Sequence, residues 1–179
     1  MTEKYRFFDS NLGDTREYTS ADWSKIMNRF LGSGYISNKL NELVVSSVQL
    51  LTAQVDTGEA MIQGRWYQND AVKELTLQTA DSTYDRIDRI VLRLDLSTTE
   101  RKITAVVKTG VAESSPSAPS LQRDNTIYEL SLAQIFVAAG AGSIDDTNIT
   151  DERDNYDYCG ISMPDSLKII DGSLAMEVR

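Results

Sequence analysis

The run from Arg86 to Asp95 limits what this chain can fold into more than any other stretch. Ile90, Leu92 and Leu94 fall on one side of an extended backbone, and Arg89, Val91, Arg93 and Asp95 on the other. A period of two marks a strand with one face buried and one in water. Ser97 to Glu100 interrupt the pattern, and Ile103, Ala105 and Val107 resume it. The pair predicts a β-hairpin with a loop of about four or five residues. The outer face is expected to carry Arg86, Asp88, Arg89, Arg93 and Asp95 as cross-strand ion pairs that fix register. The same charges would suit an interface, which makes Asp88, Arg89 and Arg93 candidate contact residues.

Further strands follow the same logic. Val48–Val55 reads as one strand, with Asp56-Thr57-Gly58 as a turn. Glu59–Tyr67 reads as a second, with Ala60, Ile62, Gly64 and Trp66 sharing a side, and Lys73–Thr79 as a third. Tyr128–Val137 is a longer run whose parity slips between Leu132 and Ile135, predicting a bulge. Glu113–Ser120 is a proline-punctuated loop that cannot be regular structure. About six or seven short strands at roughly ten-residue spacing predict a mainly β protein, an antiparallel sandwich or barrel-like domain.

An amphipathic helix precedes the strands. Thr19 or Ser20 can cap it, Asp22 suits the positive end of its dipole, and Gly32 can end it. Trp23, Ile26, Met27, Phe30 and Leu31 make one apolar stripe, which must pack on something. Packing on its own domain is the simpler expectation. Contact between subunits is the other, and makes Trp23, Ile26 and Phe30 candidate interface residues. The expected organisation is an arm and helix over 1–42, a β domain over 43–160 and a tail over 161–179. In the tail, Asp171-Gly172 predicts a hairpin around Leu167 and Ile169. A lone hairpin is marginal, so those two residues are further candidates for joining a neighbouring subunit.

Composition narrows the chemistry. The 27 acidic residues outnumber 18 basic ones, for a net charge of −9, which argues against nucleic acid or an anionic membrane as partner. With no histidine, neither a Ser/His nor a Cys/His nucleophile system can be built from this chain alone. Cys159 is the sole cysteine and lies among acidic residues, so an inert thiol and synthesis in a reducing cytoplasm are expected. Met1 to Tyr5 precede no apolar run, so neither a leader peptide nor membrane insertion is expected.

No glycine-rich phosphate loop or paired-cysteine metal spacing occurs. Asp145–Asp157 gathers six carboxylates that hard cations favour, but without EF-hand spacing. The expectation is a solvated acidic loop, with calcium a weak alternative and no other cofactor. Asp151 is expected to pair with Arg153, or with Arg86 and Arg89 across the sheet. Paired carboxylates for glycoside hydrolysis are a weak signal among so many acids. Trp66-Tyr67 reads as a core corner; exposed, it would offer a sugar ring a platform, the basis of an alternative reading as a carbohydrate-binding module.

Two stretches resemble the front half of a structural protein family of tailed bacteriophages and prophages. They are Gly58-Glu-Ala-Met-Ile-Gln-Gly-Arg-Trp-Tyr-Gln-Asn-Asp70 and Asp85-Arg-Ile-Asp-Arg-Ile-Val-Leu-Arg-Leu-Asp95. Tyr128–Gly140, Ile149–Arg153 and Cys159-Gly160 resemble its closing half, and Phe7-Phe8 with the helix to Phe30 also fits. The resemblance implies a virion component at the tail tip, a baseplate or tail-fibre attachment protein, without catalysis of its own. It implies assembly with itself, as a trimer in fibre-like relatives, and with other tail or fibre proteins. In many relatives Cys-Gly leads into a long fibre segment and a distal host-binding module. Here Ile161 to Arg179 follow, without heptads, which favours an adaptor role over direct receptor recognition.

Overall fold

The computed structural model describes residues 6–163 and the backbone of 167–170 and 173–176. In chain order the elements are α1 (Ser20–Phe30), β1 (Gly34–Tyr35), β2 (Val45–Ser47), β3 (Thr52–Val55), β4 (Gly58–Ile62), β5 (Arg65–Asn69) and β6 (Lys73–Thr76). Then come β7 (Arg86–Asp95), β8 (Lys102–Lys108), β9 (Ile127–Val137), a short 3-10 turn (Asp146–Asn148), β10 (Ile149–Asp151), β11 (Leu167–Ile170) and β12 (Ser173–Met176). The protein is mainly β. Its long strands form the sheet β10-β9-β7-β8, and two smaller sheets, β1-β4-β5 and β2-β3-β6, complete a sandwich-like body. No helix among the described residues is long and apolar enough to cross a membrane.

The alternating run is β7, the sheet's spine, with β8 and β9 antiparallel on either side. Its even-numbered residues Ile90, Leu92 and Leu94 pack with Leu130, Ile135 and Val137 against Leu43, Val55, Ile62 and Leu77. Each such side chain, fully removed from water, contributes about 1.5–3 kcal/mol. The bulge falls where the parity slips: Ile90 pairs with Ala133 and Val91 with Ser131, leaving Leu132 as the extra residue.

The second face of this sheet departs from expectation, for it is not in water. Arg89 and Val91 are buried, and Arg93 partly so. Two irregular segments lie across it. Arg89 Nη1 donates to Pro119 O at 2.6 Å, inside the proline-punctuated loop, and Ser131 N donates to Tyr158 O at 3.1 Å. Arg86 and Asp88 are not on that face either. They are register partners of Val137 and Ile135, on the core side, and both are buried.

Two of the expected strands break. Val48–Val55 is interrupted by a turn in which Leu50 takes φ +53, so only Thr52–Val55 is strand, paired with Val45–Ser47. Glu59–Tyr67 folds back at Gln63-Gly64, with φ +47 and +70, as β4 pairing with β5. Gly64 is obligatory there, because an added Cβ would stand 1.9 Å from Ser24 O of α1. The helix itself begins as read: Thr19 and Asp22 form a reciprocal capping box. It ends at Phe30, before Gly32, whose N–H donates to Met163 O at 2.8 Å. The tail's backbone forms the β11–β12 hairpin, registered Leu167 to Met176 and Ile170 to Ser173. The side chains of Leu167 and Ile169 lie outside the described part of the structure.

Candidate functional site

The charged residues of the spine are spent inside the molecule. Asp88 accepts from Arg86 Nε at 3.0 Å and from Gly110 N at 2.9 Å, while Arg86 also donates to the carbonyls of Thr79 and Gln78. Arg89 makes a two-pronged pair with Glu152, at 2.9 and 3.0 Å, and Ser131 Oγ and Gln134 Nε2 donate to the same carboxylate at 2.5 Å each. Glu129 is fully buried and accepts from Arg93 Nε at 2.9 Å, Lys108 Nζ at 2.6 Å and Gln122 N at 2.7 Å. Burial pushes its carboxyl up, but the Gln122 N–H, Lys108 and Arg93 outweigh it and hold the group below the usual glutamate value. Asp88 and Arg89 are therefore not available to a partner. Arg93 remains partly exposed but is committed to Glu129.

The acidic run is likewise built into local structure. Asp145 caps its own 3-10 turn, Asp146 accepts from the backbone N and hydroxyl of Ser47, and Asp154 accepts from the Tyr35 hydroxyl at 2.6 Å. Asp151 pairs with Arg153 at 2.5 Å, as one of the two expectations had it. Its neighbour Glu152, not Asp151, crosses to Arg89, and Arg86 turns to Asp88 instead. Among the described residues no three His, Cys, Asp or Glu side chains gather as metal ligands. Cys159 is buried, and burial pushes its thiol up to about 12, so it stays protonated and a poor nucleophile at neutral pH.

What faces outward is aromatic. Helix α1 packs through Ser24, its one buried residue, and leaves Trp23 54% and Phe30 63% exposed, with Ile26 half-buried. The stripe thus does not pack on its own domain in the simple way expected. The segment before the helix folds back along it: the Phe7 ring lies 4.3 Å from Trp23 and 5.1 Å from Tyr18. The Tyr18 hydroxyl ties it down, accepting from Phe8 N at 2.8 Å and donating to Phe8 O at 3.0 Å. Phe7, Phe8, Trp23 and Phe30 are all exposed. Aromatics in such numbers at the surface are a common mark of an interaction site.

Trp66 is the second departure, 57% exposed where a core corner was expected. Its indole N–H donates to Glu59 Oε2 at 3.1 Å, and the Gln68 amide donates to the other Glu59 oxygen at 3.5 Å. It edges a groove of about 960 Å³ bounded by β5, the start of α1 and the β7–β8 loop. Sequence reasoning missed the groove because its walls come from three segments distant in the chain. Comparison of the chain with protein-family models, with curated proteins and with solved structures finds no match.

Proposed function

We propose that this protein is a structural component of a phage tail tip, an adaptor that joins copies of itself and seats a tail or fibre protein. The reading rests on the resemblance of the 58–70 and 85–95 stretches, and one observation carries it furthest. The aromatic side of α1, with Trp23 and Phe30 more than half exposed and the Phe7 ring stacked on Trp23, is apolar surface with no complete cover among the described residues. A second copy supplies one: two such patches facing each other remove both from water at about 25 cal/mol per Å². The interior suits a mechanical part. Ion pairs fixed by two covering loops hold the long sheet to one register, and a sheet so pinned transmits load rather than yielding.

Gold-labelled antibody against this chain, applied to intact particles, tests the placement. Label at the tail tip is the expected result; label on the head, or none on intact virions that bear the protein, would overturn it. The joint is tested by Trp23→Glu with Phe30→Glu, which should lower the oligomer to single copies while leaving the β-sheet signal in circular dichroism intact.

A further inference from the structure

β5 is the outermost strand of the β1-β4-β5 sheet, and its far edge carries no further strand among the described residues. The Gln63-Gly64 turn fixes which backbone groups lie along that edge. In a two-residue hairpin the pair flanking the turn exchanges hydrogen bonds, and bonded and unbonded pairs alternate from there. Ile62 with Arg65, and Ala60 with Tyr67, therefore bond across the hairpin, and Trp66 and Gln68 turn their N–H and C=O groups outward. Among the described residues those outward groups meet no backbone partner. Consecutive residues, Arg65 to Gln68, line the groove of about 960 Å³, so it runs along the strand's edge and not over one of its faces. An unpaired edge beside open space is a template for another strand.

One hairpin of the chain lacks a third strand. β11–β12 pairs with no other strand among the described residues, and a two-stranded hairpin alone is marginal in water. It cannot reach the β5 edge of its own chain. The segment leading to it leaves from the opposite side of the same sheet, where Tyr35 N donates to Gly160 O at 3.0 Å and Ser162 N to Tyr35 O at 2.7 Å. From there across β1, β4 and β5 to an added strand is four inter-strand spacings, about 19 Å. The chain from Met163 to Leu167 spans at most about 14 Å. Charge favours the match. Lys102 is met by Glu100, but Arg65 and Arg101 line the groove with no carboxylate partner among the described residues. The stretch 165–177 carries Asp165, Asp171 and Glu177 against Lys168.

We propose that the β11–β12 hairpin of one copy adds to the β5 edge of a second, extending its three-stranded sheet. The proposal rests on the self-association proposed above. Ser20 and Ser24 at the start of α1 wall the same groove, so this edge adjoins the helix through which copies meet. Once they meet there, the tethered hairpin stands at high effective concentration and the added strand forms within the assembly.

Amide exchange on the full, isotope-labelled chain tests it. In the assembled protein the Trp66 and Gln68 amides should exchange at least about tenfold more slowly than in single copies of the Trp23→Glu, Phe30→Glu variant. Lys168→Pro with Ala175→Pro, a paired position of the hairpin, should return both amides to fast exchange and weaken self-association about tenfold, while Arg65 and Tyr67 stay protected. Gln68→Pro, which removes only an outward N–H, should weaken it as much. Adding unlabelled Gln68→Pro chain, which keeps its hairpin, to the labelled hairpin variant should slow Trp66 and Gln68 again. That rescue is what a contact within one chain would not give. A multimer whose Trp66 and Gln68 amides exchange freely would overturn this proposal and leave the α1 joint standing. So would protection that persists in single copies, or a mixture without rescue. A native chain that stays single at every concentration would overturn both.

Discussion

Glu152 has both carboxylate oxygens engaged by donors, and its ion-pair partner Arg89 is as deeply buried as itself. Replacing it leaves a guanidinium in the interior without an anion, the costliest kind of polar change. Glu152→Gln should therefore cost about 3 kcal/mol, read as a lowered urea midpoint with unchanged slope. Glu129→Gln should cost less, about 2 kcal/mol, because Arg93 and Lys108 keep part of their surface in water. Glu129 is held below its ordinary value of 4.5 in the fold, so its contribution is present above that pH and is lost as pH falls through the folded-state value. The native chain should lose stability on acidification below pH 4.5, and Glu129→Gln should show a shallower loss, measured by urea unfolding across the acid range.

At the scale of the element, the β4–β5 turn decides more than its length suggests. Gly64→Ala would put a methyl group 1.9 Å from Ser24 O while holding alanine at φ +70. The turn or the helix must move, and a loss of about 3 kcal/mol or more is expected, with a shift in tryptophan emission as α1 is displaced. This turn also explains why Trp66 was misread. Alternation counted straight through 59–67 puts Trp66 with Ile62, facing the core. A two-residue reversal instead makes Ile62 the partner of Arg65 and Met61 the partner of Trp66, which moves Trp66 to the face of Glu59. The counting rule held on β7, β8 and β9, the three longest strands, and even the bulge at Leu132 was legible. It failed where a turn kept the pattern looking continuous. Nor can periodicity reveal that a coil segment lies over the polar side of a sheet. Arg89, Arg93 and Glu129 look like surface residues in sequence because their covers, around Pro119, Gln122 and Tyr158, are irregular and remote.

Over the whole molecule, polarity is partly inverted: paired charges are enclosed around the long sheet, and aromatic side chains stand at the surface. The enclosed charges give uniqueness of register more than net stability, since buried pairs roughly balance their desolvation. The candidate contacts of α1, namely Trp23, Ile26 and Phe30, lie together on one helix, whereas Asp88 and Arg89 are enclosed, so the surface proposed for self-association was legible in the helix stripe and not in the charged strand. An aromatic joint also predicts weak salt dependence. Raising salt should leave the self-association of the native chain unchanged within about twofold, whereas a charged joint would weaken markedly.

Native mass spectrometry of the full chain at micromolar concentration tests the central claim most directly, that cohesion through the α1 patch is this protein's output. The account predicts a discrete multimer for the native chain and single copies for the Trp23→Glu, Phe30→Glu variant with its sheet intact. A native chain that stays single at every concentration, or a multimer that survives both substitutions, would contradict it.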